Sequence, residues 1–479
     1  MIDLKDSIVV LGSGLSGAFT AKELLKSNHK VTMIDAGYTR DAYIPPLNKN
    51  NSSQIMSSYK FKIKSNEFAY ADFGLQNDLE TKNFHAVGSL AAGGLSNIWG
   101  GGLSKFEEYE YQSDIFSHDE ITNIYSEIQK EMQAMKDESV AYSSNQEYDK
   151  RLEKLFAANV GEITFSPPIN AINQKSKYWK ENNNKNHGIF SASTLINELK
   201  KNERFEVISD NLIHGLSKDG ENYVLQTRDS KSNQNIKYSI KNVFCCLGVI
   251  SSTQLILKME EAYNAPTKLC TTPLAYFLAF TGKKRENSTQ FGLSSLSFRV
   301  NNENASGGLF PCNKDMLSHI KLFRLLPAIL RTLIDKVFLQ RLFVVNIFFH
   351  SNMSNNKISV SNKGQCNIIG RNHPSLKLHF QRSKAIIKKE LKRFNIFVIP
   401  IIQKIATPGS DVHYGGTFPI KINPEKLNCD SSGRLHGHKA FYVADACSLE
   451  SIPGKPHSFH SIAQSIIIAR RFIYSQIHR

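Results

Sequence analysis

Short apolar runs and helical patterns alternate at both ends of the chain. Residues 7–11 (SIVVL) are almost wholly apolar, residues 30–34 form a second apolar run, and a helical pattern lies between them at 18–27. Apolar runs of this length are typical of parallel strands that are buried on both faces. The N-terminus therefore predicts a βαβ unit. A strand at 440–443 followed by a helix from about 460 to 474 predicts a return to α/β structure.

The middle of the chain carries patterns of other kinds. Residues 204–248 contain short alternating segments separated by turns, which is typical of a β-meander. Residues 115–160 have helical periodicity, whereas residues 40–80 and 173–188 are polar and predict loops. Three strand-like segments, SSLSFRV, NKISVS and LKLHF, lie between 270 and 400. The middle of the chain therefore predicts a mixture of strands and helices.

A glycine-rich turn joins the first strand to the first helix. Gly12, Gly14 and Gly17 have the G-x-G-x-x-G spacing, in which the first permits a tight turn, the second admits a pyrophosphate and the third lets helix pack on strand. The helix N-terminus adds amide groups and a partial positive charge. Asp35 ends the second strand, where a carboxylate can accept hydrogen bonds from a ribose. Together these features predict a dinucleotide site, although such a turn alone can serve packing only.

The composition fits a soluble globular protein. The 479 residues are 41% hydrophobic and 21% charged, which excludes fibrous and wholly disordered chains. At about 150 residues per domain, the length is enough to bury a large cofactor between core units. The net charge of +16 favours an anionic partner, such as a phosphate-bearing substrate or a lipid surface. Nucleic acid is disfavoured, because no compact basic and aromatic recognition module is evident.

Cysteine usage and the N-terminal sequence favour a cytoplasmic protein. The seven cysteines include no Cys-x-x-Cys pair, so neither a zinc ribbon nor a disulfide framework is predicted, and we expect a reducing compartment and no metal site. The start, MIDLKDSIVVLGSG, lacks the basic region and long apolar run of a secretory signal. No uncharged apolar run reaches the roughly 18 residues that a membrane-spanning helix needs.

Four segments together resemble the glucose–methanol–choline (GMC) family of FAD-dependent oxidoreductases. They are GSGLSG at 12–17, GGLSNIWGGG at 93–102, NVFCCLGVISSTQLIL at 242–257, and the block from residue 413 onward. The last block is the most specific, because it joins a His-x-x-Gly-Thr signature, a strand–Asp–Ala turn and a histidine-bearing loop before the final helix. The resemblance implies an α/β fold in which a sheet-plus-helices substrate domain is inserted into a Rossmann-like FAD-binding domain.

In this interpretation both domains are discontinuous. The FAD-binding domain comprises residues 1–105, 187–260 and 405–479. The substrate domain comprises residues 106–186 and 261–404, where family members differ most and the match is loose.

The resemblance also implies which residues hold FAD. Gly12, Gly14, Gly17 and Asp35 would hold the ADP half. The other candidates are Gly94, Ser96, Asn97 and Trp99 along the pyrophosphate and isoalloxazine, Ile213 for a backbone contact to adenine, and Asp445 and Ala446 near the ribityl chain. Some family members carry a flavin-linked histidine directly before the tryptophan. Because Ile98 stands there, we expect FAD to be held non-covalently.

His413 and His457 match the pair that faces flavin N5 in the family, and they are the candidate catalytic residues. Oxidising an alcohol removes a hydroxyl proton and a hydride; a neutral imidazole can accept the proton. The second imidazole can hydrogen-bond the oxygen, and as an imidazolium it would stabilise a developing alkoxide. His460 lies one helical turn from His457 and is expected behind it. His436 and His438 lie in a turn that predicts exposed side chains.

The predicted activity is FAD-dependent oxidation of an alcohol, with a sugar favoured by analogy with the pyranose-oxidising branch of the family. Two alternatives stay open: a redox-neutral sugar epimerase or mutase, and a non-catalytic lipid-binding protein on the same fold. The electron acceptor, the carbon oxidised and the oligomeric state are not indicated by the sequence.

The stretch 317–349 matches the family least. It has five cations and one acid, Asp335, among leucine, isoleucine and phenylalanine residues. Such a segment predicts either an anionic membrane surface as partner or a helix packed on the substrate domain. Because Pro327 interrupts helical hydrogen bonding, two short helices are expected. Membrane contact would place the protein on the cytoplasmic face and suit a lipid-linked sugar.

Overall fold

A computed structural model describes residues 1–37, 71–132, 161–171, 190–282, 296–312 and 325–477, with the single residues Lys284, Ser294, Leu317 and Phe323. The predicted loop at 173–188 lies outside these residues, as do residues 38–70 and residues 133–160 of the helical pattern.

The described strands are, in chain order, β1 (Ile2–Asp3), β2 (Ser7–Leu11), β3 (Lys30–Ile34), β4 (Leu79–Lys82), β5 (Ile163–Ser166), β6 (Phe205–Ile208), β7 (Asn211–Asp219), β8 (Asn222–Asp229), β9 (Asn235–Ile240), β10 (Asn242–Cys245), β11 (Thr267–Leu269), β12 (Leu274–Thr281), β13 (Leu296–Val300), β14 (Ala305–Pro311), β15 (Leu342–Phe349), β16 (Asn356–Val360), β17 (Cys366–Ile369), β18 (Ile396–Ile405) and β19 (Phe441–Val443). The described α-helices are α1 (Leu15–Leu24), α2 (Ala71–Gln76), α3 (His118–Glu131), α4 (Ala192–Leu199), α5 (Val249–Met259), α6 (Ala328–Val337), α7 (Leu376–Lys392) and α8 (Ser458–Ile477).

A five-stranded parallel sheet brings the distant motifs together. Its order is β19-β10-β2-β3-β6, and every neighbouring pair is parallel. Strands β2 and β3 have the predicted bounds, and all residues of β2 are buried. Because carboxyl ends of parallel strands meet at one edge, the segments that follow β2, β10 and β19 lie side by side. Gly12, Gly248 and Asp445 are therefore neighbours although they are far apart in sequence.

The prediction of one meander over 204–248 is wrong in part. Strands β7, β8 and β9 form an antiparallel meander that β1 extends. Strands β6 and β10 instead join the parallel sheet: the apolar residues of β10 are buried, and those of the edge strand β6 are buried or partly buried against the same core. A separate four-stranded sheet has the order β11-β16-β17-β4.

A six-stranded antiparallel sheet, β18-β12-β15-β14-β13-β5, covers one side of a second apolar core. The segment LKLHF, predicted as a strand, begins helix α7. Its alternation of apolar and polar residues is local. Over the longer stretch Leu376, Phe380, Ile387 and Leu391 are buried at helical spacing and pack on this sheet. The domain boundaries given above stay a prediction.

Of the two helices predicted on either side of Pro327, the second is present as α6, whereas the first falls largely on residues outside the described ones. Pro327 directly precedes helix α6, and residues 342–349 form β15, a central strand of the six-stranded sheet. Alternating residues of β15 are buried, because one of its faces covers the second core. The possible membrane segment is thus limited to the part before β15. Among the described helices, none combines the length and apolar character required to cross a membrane.

Candidate active site

The glycine turn after β2 leaves a space at the start of α1. A Cβ on Gly12, whose φ is +101°, would lie 2.4 Å from the Cys246 carbonyl oxygen, and one on Gly17 would lie 2.0 Å from the Gly12 oxygen. A Cβ on Gly14 would meet no described heavy atom within 4 Å beyond its chain neighbours. The chain itself therefore requires glycine at two positions, whereas Gly14 opens the helix N-terminus to a ligand. This arrangement fits a dinucleotide pyrophosphate.

The segment that follows β4 closes the other side of this space. A Cβ on Gly94 would lie 3.3 Å from the Gly14 Cα, so the two glycines face each other. The Gly93 N–H, in a residue with φ of +90°, donates to Ser13 Oγ at 2.9 Å. Gly94 begins a 3₁₀ helix that ends at Asn97. Two glycine-rich segments therefore meet where a cofactor would pass between them.

Three candidate side chains in this segment form hydrogen bonds with residues around the start of α4. Ser96 Oγ accepts a hydrogen bond from the Ala192 N–H at 2.9 Å, and Asn97 Oδ1 accepts one from Ser191 Oγ at 3.0 Å. Trp99 Nε1 donates to the Phe190 carbonyl at 2.8 Å. These side chains hold the backbone of the glycine segment in place, and their contact with a cofactor stays a prediction. The sequence analysis missed residues 190–193, whose only signal is a small Ser-Ala-Ser segment at a helix start.

Asp35 lies at the end of β3, next to the turn. Its Oδ2 accepts from the Ser13 N–H at 2.8 Å and its Oδ1 from the Gly37 N–H at 2.5 Å. Burial raises the pKa of Asp35 to about 6, against the lowering effect of these two N–H groups. The Asn211 N–H donates to the Asp35 carbonyl at 3.1 Å, which places the start of β7, and Ile213 within it, beside this end of the site.

Asp445 connects three segments below the histidine loop. Its carboxylate accepts from Ser252 Oγ at 2.6 Å, from the Gly248 N–H at 3.0 Å and from the Cys447 N–H at 2.9 Å. The Ala446 carbonyl accepts from the Gly416 N–H, which fixes the segment that follows His413. Asp445 is thus bonded to protein donors. Its approach to a ribityl chain stays a prediction.

His413 and His457 lie together, with ring centroids 5.6 Å apart and ring planes at 82°. His457 directly precedes α8, whose first turn approaches that of α1: Ser461 Oγ is 3.3 Å from Ser16 Oγ. His457 is 8% exposed, and its Nδ1 has no hydrogen-bond partner among the described residues. A buried polar atom without a partner is rare and points to a missing ligand.

Burial keeps both imidazoles neutral. It lowers the pKa of His413 to about 3, with His457 adding to the effect, and it lowers the pKa of His457 to about 4. At pH 7 both rings are therefore neutral in the resting site, and each has one unprotonated nitrogen. The imidazolium that the sequence analysis assigned to the second ring is disfavoured in this environment.

A hydrogen-bonded chain orients His413. Thr272 Oγ donates to Asp411 Oδ2 at 3.1 Å and lies 2.7 Å from His413 Nδ1. Because a hydroxyl has one proton, the Thr272 oxygen then accepts the proton of Nδ1, and Nε2 is left with a free lone pair. Val412, between Asp411 and His413, has φ of 58°, which is rare for a β-branched residue. The loop is thus held in a strained conformation beside the histidine pair.

The other histidines have structural contacts. His460 Nδ1 is 2.7 Å from the Tyr125 hydroxyl, and its ring stacks on Phe106 at 4.3 Å, behind His457. His436 is exposed, as predicted. The prediction for His438 is wrong: it is buried, with Nε2 2.6 Å from Glu260 Oε1 and Nδ1 3.0 Å from the Tyr223 hydroxyl.

The segment before His457 is held against the six-stranded sheet. Lys455 Nζ lies 2.7 Å from Glu110 Oε2 and donates to the Lys105 carbonyl at 3.1 Å. Ser306 Oγ on β14 donates to the Gly454 carbonyl at 2.5 Å. The histidine pair therefore lies between the parallel sheet and the six-stranded sheet, where a substrate would meet residues of both.

No known family model matches this chain, and no curated protein does so at a significant level. Among solved structures it is similar to a formate oxidase of Aspergillus oryzae. That structure comes from a study of how an arginine-to-lysine mutation affects FAD modification in the oxidase. The TM-score is 0.65 at 12% identity, over 99% of each chain. The chain therefore shares the fold of that formate oxidase over 99% of its length, which confirms the predicted fold class. The similarity gives no support for the pyranose-oxidising branch.

Proposed function

We propose that the protein is an FAD-dependent oxidoreductase that oxidises an alcohol at the histidine pair. One observation carries the proposal: two neutral imidazoles, the buried His457 and the partly buried His413, lie together at the start of α8, whose first turn adjoins the open space at Gly14. The helix N-terminus at Gly14, the facing Gly94 segment and Asp35 would hold FAD. When bound, FAD supplies the hydride acceptor.

The residues of the chain supply the proton chemistry. His413 Nε2, with the lone pair left by the Thr272 hydrogen bond, accepts the hydroxyl proton of the substrate. His457 hydrogen-bonds the same oxygen and holds it against His413. His457 is buried and His413 is partly buried, so these interactions are stronger than they would be in water. Asp411 and Thr272 act through His413 and are positioning residues.

We expect the rate of flavin reduction to rise with pH through about 7. Burial raises the pKa of Asp411 to about 7, against the opposing N–H of Thr272. Below that pH the protonated Asp411 donates to the Thr272 oxygen, and the Thr272 hydroxyl donates to His413 Nδ1. The ring proton of His413 then lies on Nε2, which cannot accept the substrate proton. Above it the Asp411 carboxylate accepts from Thr272, and Nε2 is free. Both imidazoles stay neutral across this range, because burial lowers the pKa of each to about 4 or below.

Stopped-flow reduction of the wild-type protein and of Asp411→Asn, between about pH 5.5 and 8.5, measures this effect. The amide does not titrate, so the variant should give a flat profile. If Asp411→Asn keeps the pH dependence of the wild type, Asp411 does not set the state of His413.

FAD is expected to be released intact by denaturation. Ile98, at the position where some family members carry a flavin-linked histidine, is buried with Val87 and packs near Val412, and it offers no nucleophile. Acid precipitation should therefore leave the flavin in the supernatant and a colourless pellet. A yellow pellet would show that another residue is linked to the flavin.

A sugar, free or lipid-linked, is the proposed substrate class. Its support is an analogy, the resemblance of GGLSNIW and HYGGT to the pyranose-oxidising branch. Purified protein, mixed under anaerobic conditions with a panel of sugars, lipid-linked sugars and simple alcohols, should lose its flavin absorbance with a sugar. Turnover without any acceptor and without net bleaching would instead identify an epimerase or mutase.

A further inference from the structure

One face of helix α6 is apolar and exposed. Ile329 is 83% exposed and Leu333 51%, and Leu330 and Val337 are also exposed. At 100° per residue these side chains fall, with Ile334, within an arc of about 140° on one side of the helix. Ile334 lies at one edge of that arc and packs on a small cluster outside the six-stranded sheet. Among the described residues, the rest of the protein thus covers only one edge of this apolar face.

The apolar surface continues onto β18, the edge strand of the six-stranded sheet. Ile399 and Ile402 pack against the same cluster as Ile334, so this face of β18 and α6 cover one cluster together. Phe397 is two residues from Ile399 and points to the same face, with 47% of its surface exposed. Ile401, which lies between Ile399 and Ile402 in the sequence, is 75% exposed. Single exposed apolar residues are ordinary, but a contiguous group marks an interaction site.

The charge of the sequence around this surface selects the partner; of its cations, Arg331 is exposed on α6 itself. The stretch 317–349 carries Lys321, Arg324, Arg331, Lys336 and Arg341 against the single acid Asp335. The whole chain has a net charge of +16. An apolar helix face flanked by cations is the pattern of helices that lie in the interface of an anionic bilayer. No described helix could cross that bilayer, so the contact would be with one leaflet.

We propose that α6 and the adjoining face of β18 bind the protein to an anionic membrane surface. Ile329 and Leu333 would enter the acyl boundary, while the neighbouring cations meet the lipid headgroups. These residues lie outside the histidine site, so the proposal is independent of the enzymatic activity proposed above.

Vesicle co-sedimentation tests the proposal. The flavin-loaded full chain is mixed with vesicles of phosphatidylcholine, with or without phosphatidylglycerol, at low and high salt. We expect binding to the anionic vesicles that weakens with salt. Ile329→Glu/Leu333→Glu should lower the affinity at least about tenfold, since it places charge where apolar insertion is required.

The matched control is Leu378→Glu/Ile422→Glu, which makes the same charge change at exposed apolar residues elsewhere. This control should bind like the wild type, and both variants should keep the wild-type melting temperature. Wild-type protein that stays in the supernatant with anionic vesicles at low salt overturns the proposal, as does an equal loss of binding in both variants. If the wild type fails to bind vesicles and forms a dimer that only Ile329→Glu/Leu333→Glu dissociates, the face joins two copies of the chain.

Discussion

Gly14→Val should give a folded protein that contains no FAD. Gly14 has φ of −65° and ψ of −177°, which valine adopts without strain, and a Cβ there meets no described atom within 4 Å beyond its chain neighbours. The side chain instead fills the space that a pyrophosphate requires at the start of α1. The flavin absorbance of the purified variant should therefore be absent, while its circular dichroism and melting temperature match those of flavin-stripped wild type.

Gly12→Val is the contrasting variant. Its Cβ would lie 2.4 Å from the Cys246 oxygen, in a residue with φ of +101°, so this substitution should disrupt the fold as well as binding. A Gly14→Val protein that retains stoichiometric FAD would show that the cofactor binds elsewhere.

Replacing His413 or His457 by alanine should leave FAD bound and slow its reduction by substrate roughly 10²–10⁴-fold, the usual effect of a lost acid–base group. The two losses should be strongly non-additive, because the rings lie 5.6 Å apart and act on one oxygen. Anaerobic stopped-flow measurement of flavin reduction, with the alcohol that reduces the wild type, gives both rates.

His436→Ala is the matched control, since His436 is exposed and its loss should not change the rate. Near-normal reduction in His457→Ala would remove the role assigned to this histidine. His460 would then be the next candidate, although its Nδ1 is already 2.7 Å from the Tyr125 hydroxyl.

Elements that are buried on both faces were predictable from the sequence. Strands β2 and β3 have the predicted bounds, because most residues along these runs are apolar and all except Lys30 are buried. LKLHF was misassigned because five residues do not distinguish an alternating strand from the first turns of α7. Strand β15 was hidden in an apolar, basic stretch, since burial against two neighbouring strands is a property of the tertiary fold.

The candidate site was predictable where short motifs carry the chemistry, as in the glycine turn. It was not predictable where residues far apart in sequence combine. Thr272 meets Asp411 across 139 residues and then orients His413. The burial of His438 likewise depends on Glu260, 178 residues away. A single sequence has no local signal for such pairs, which arise when the two sheets pack together.

Anaerobic titration of the purified protein tests the central claim most directly. The protein is first saturated with FAD, and dithionite confirms that the bound flavin can be reduced. The panel of sugars, lipid-linked sugars and simple alcohols is then added. The proposed function predicts that at least one alcohol removes the flavin absorbance of the wild type and that His413→Ala/His457→Ala is not bleached by it. A protein that binds no FAD, or a double variant reduced as fast as the wild type, would contradict alcohol oxidation at the histidine pair.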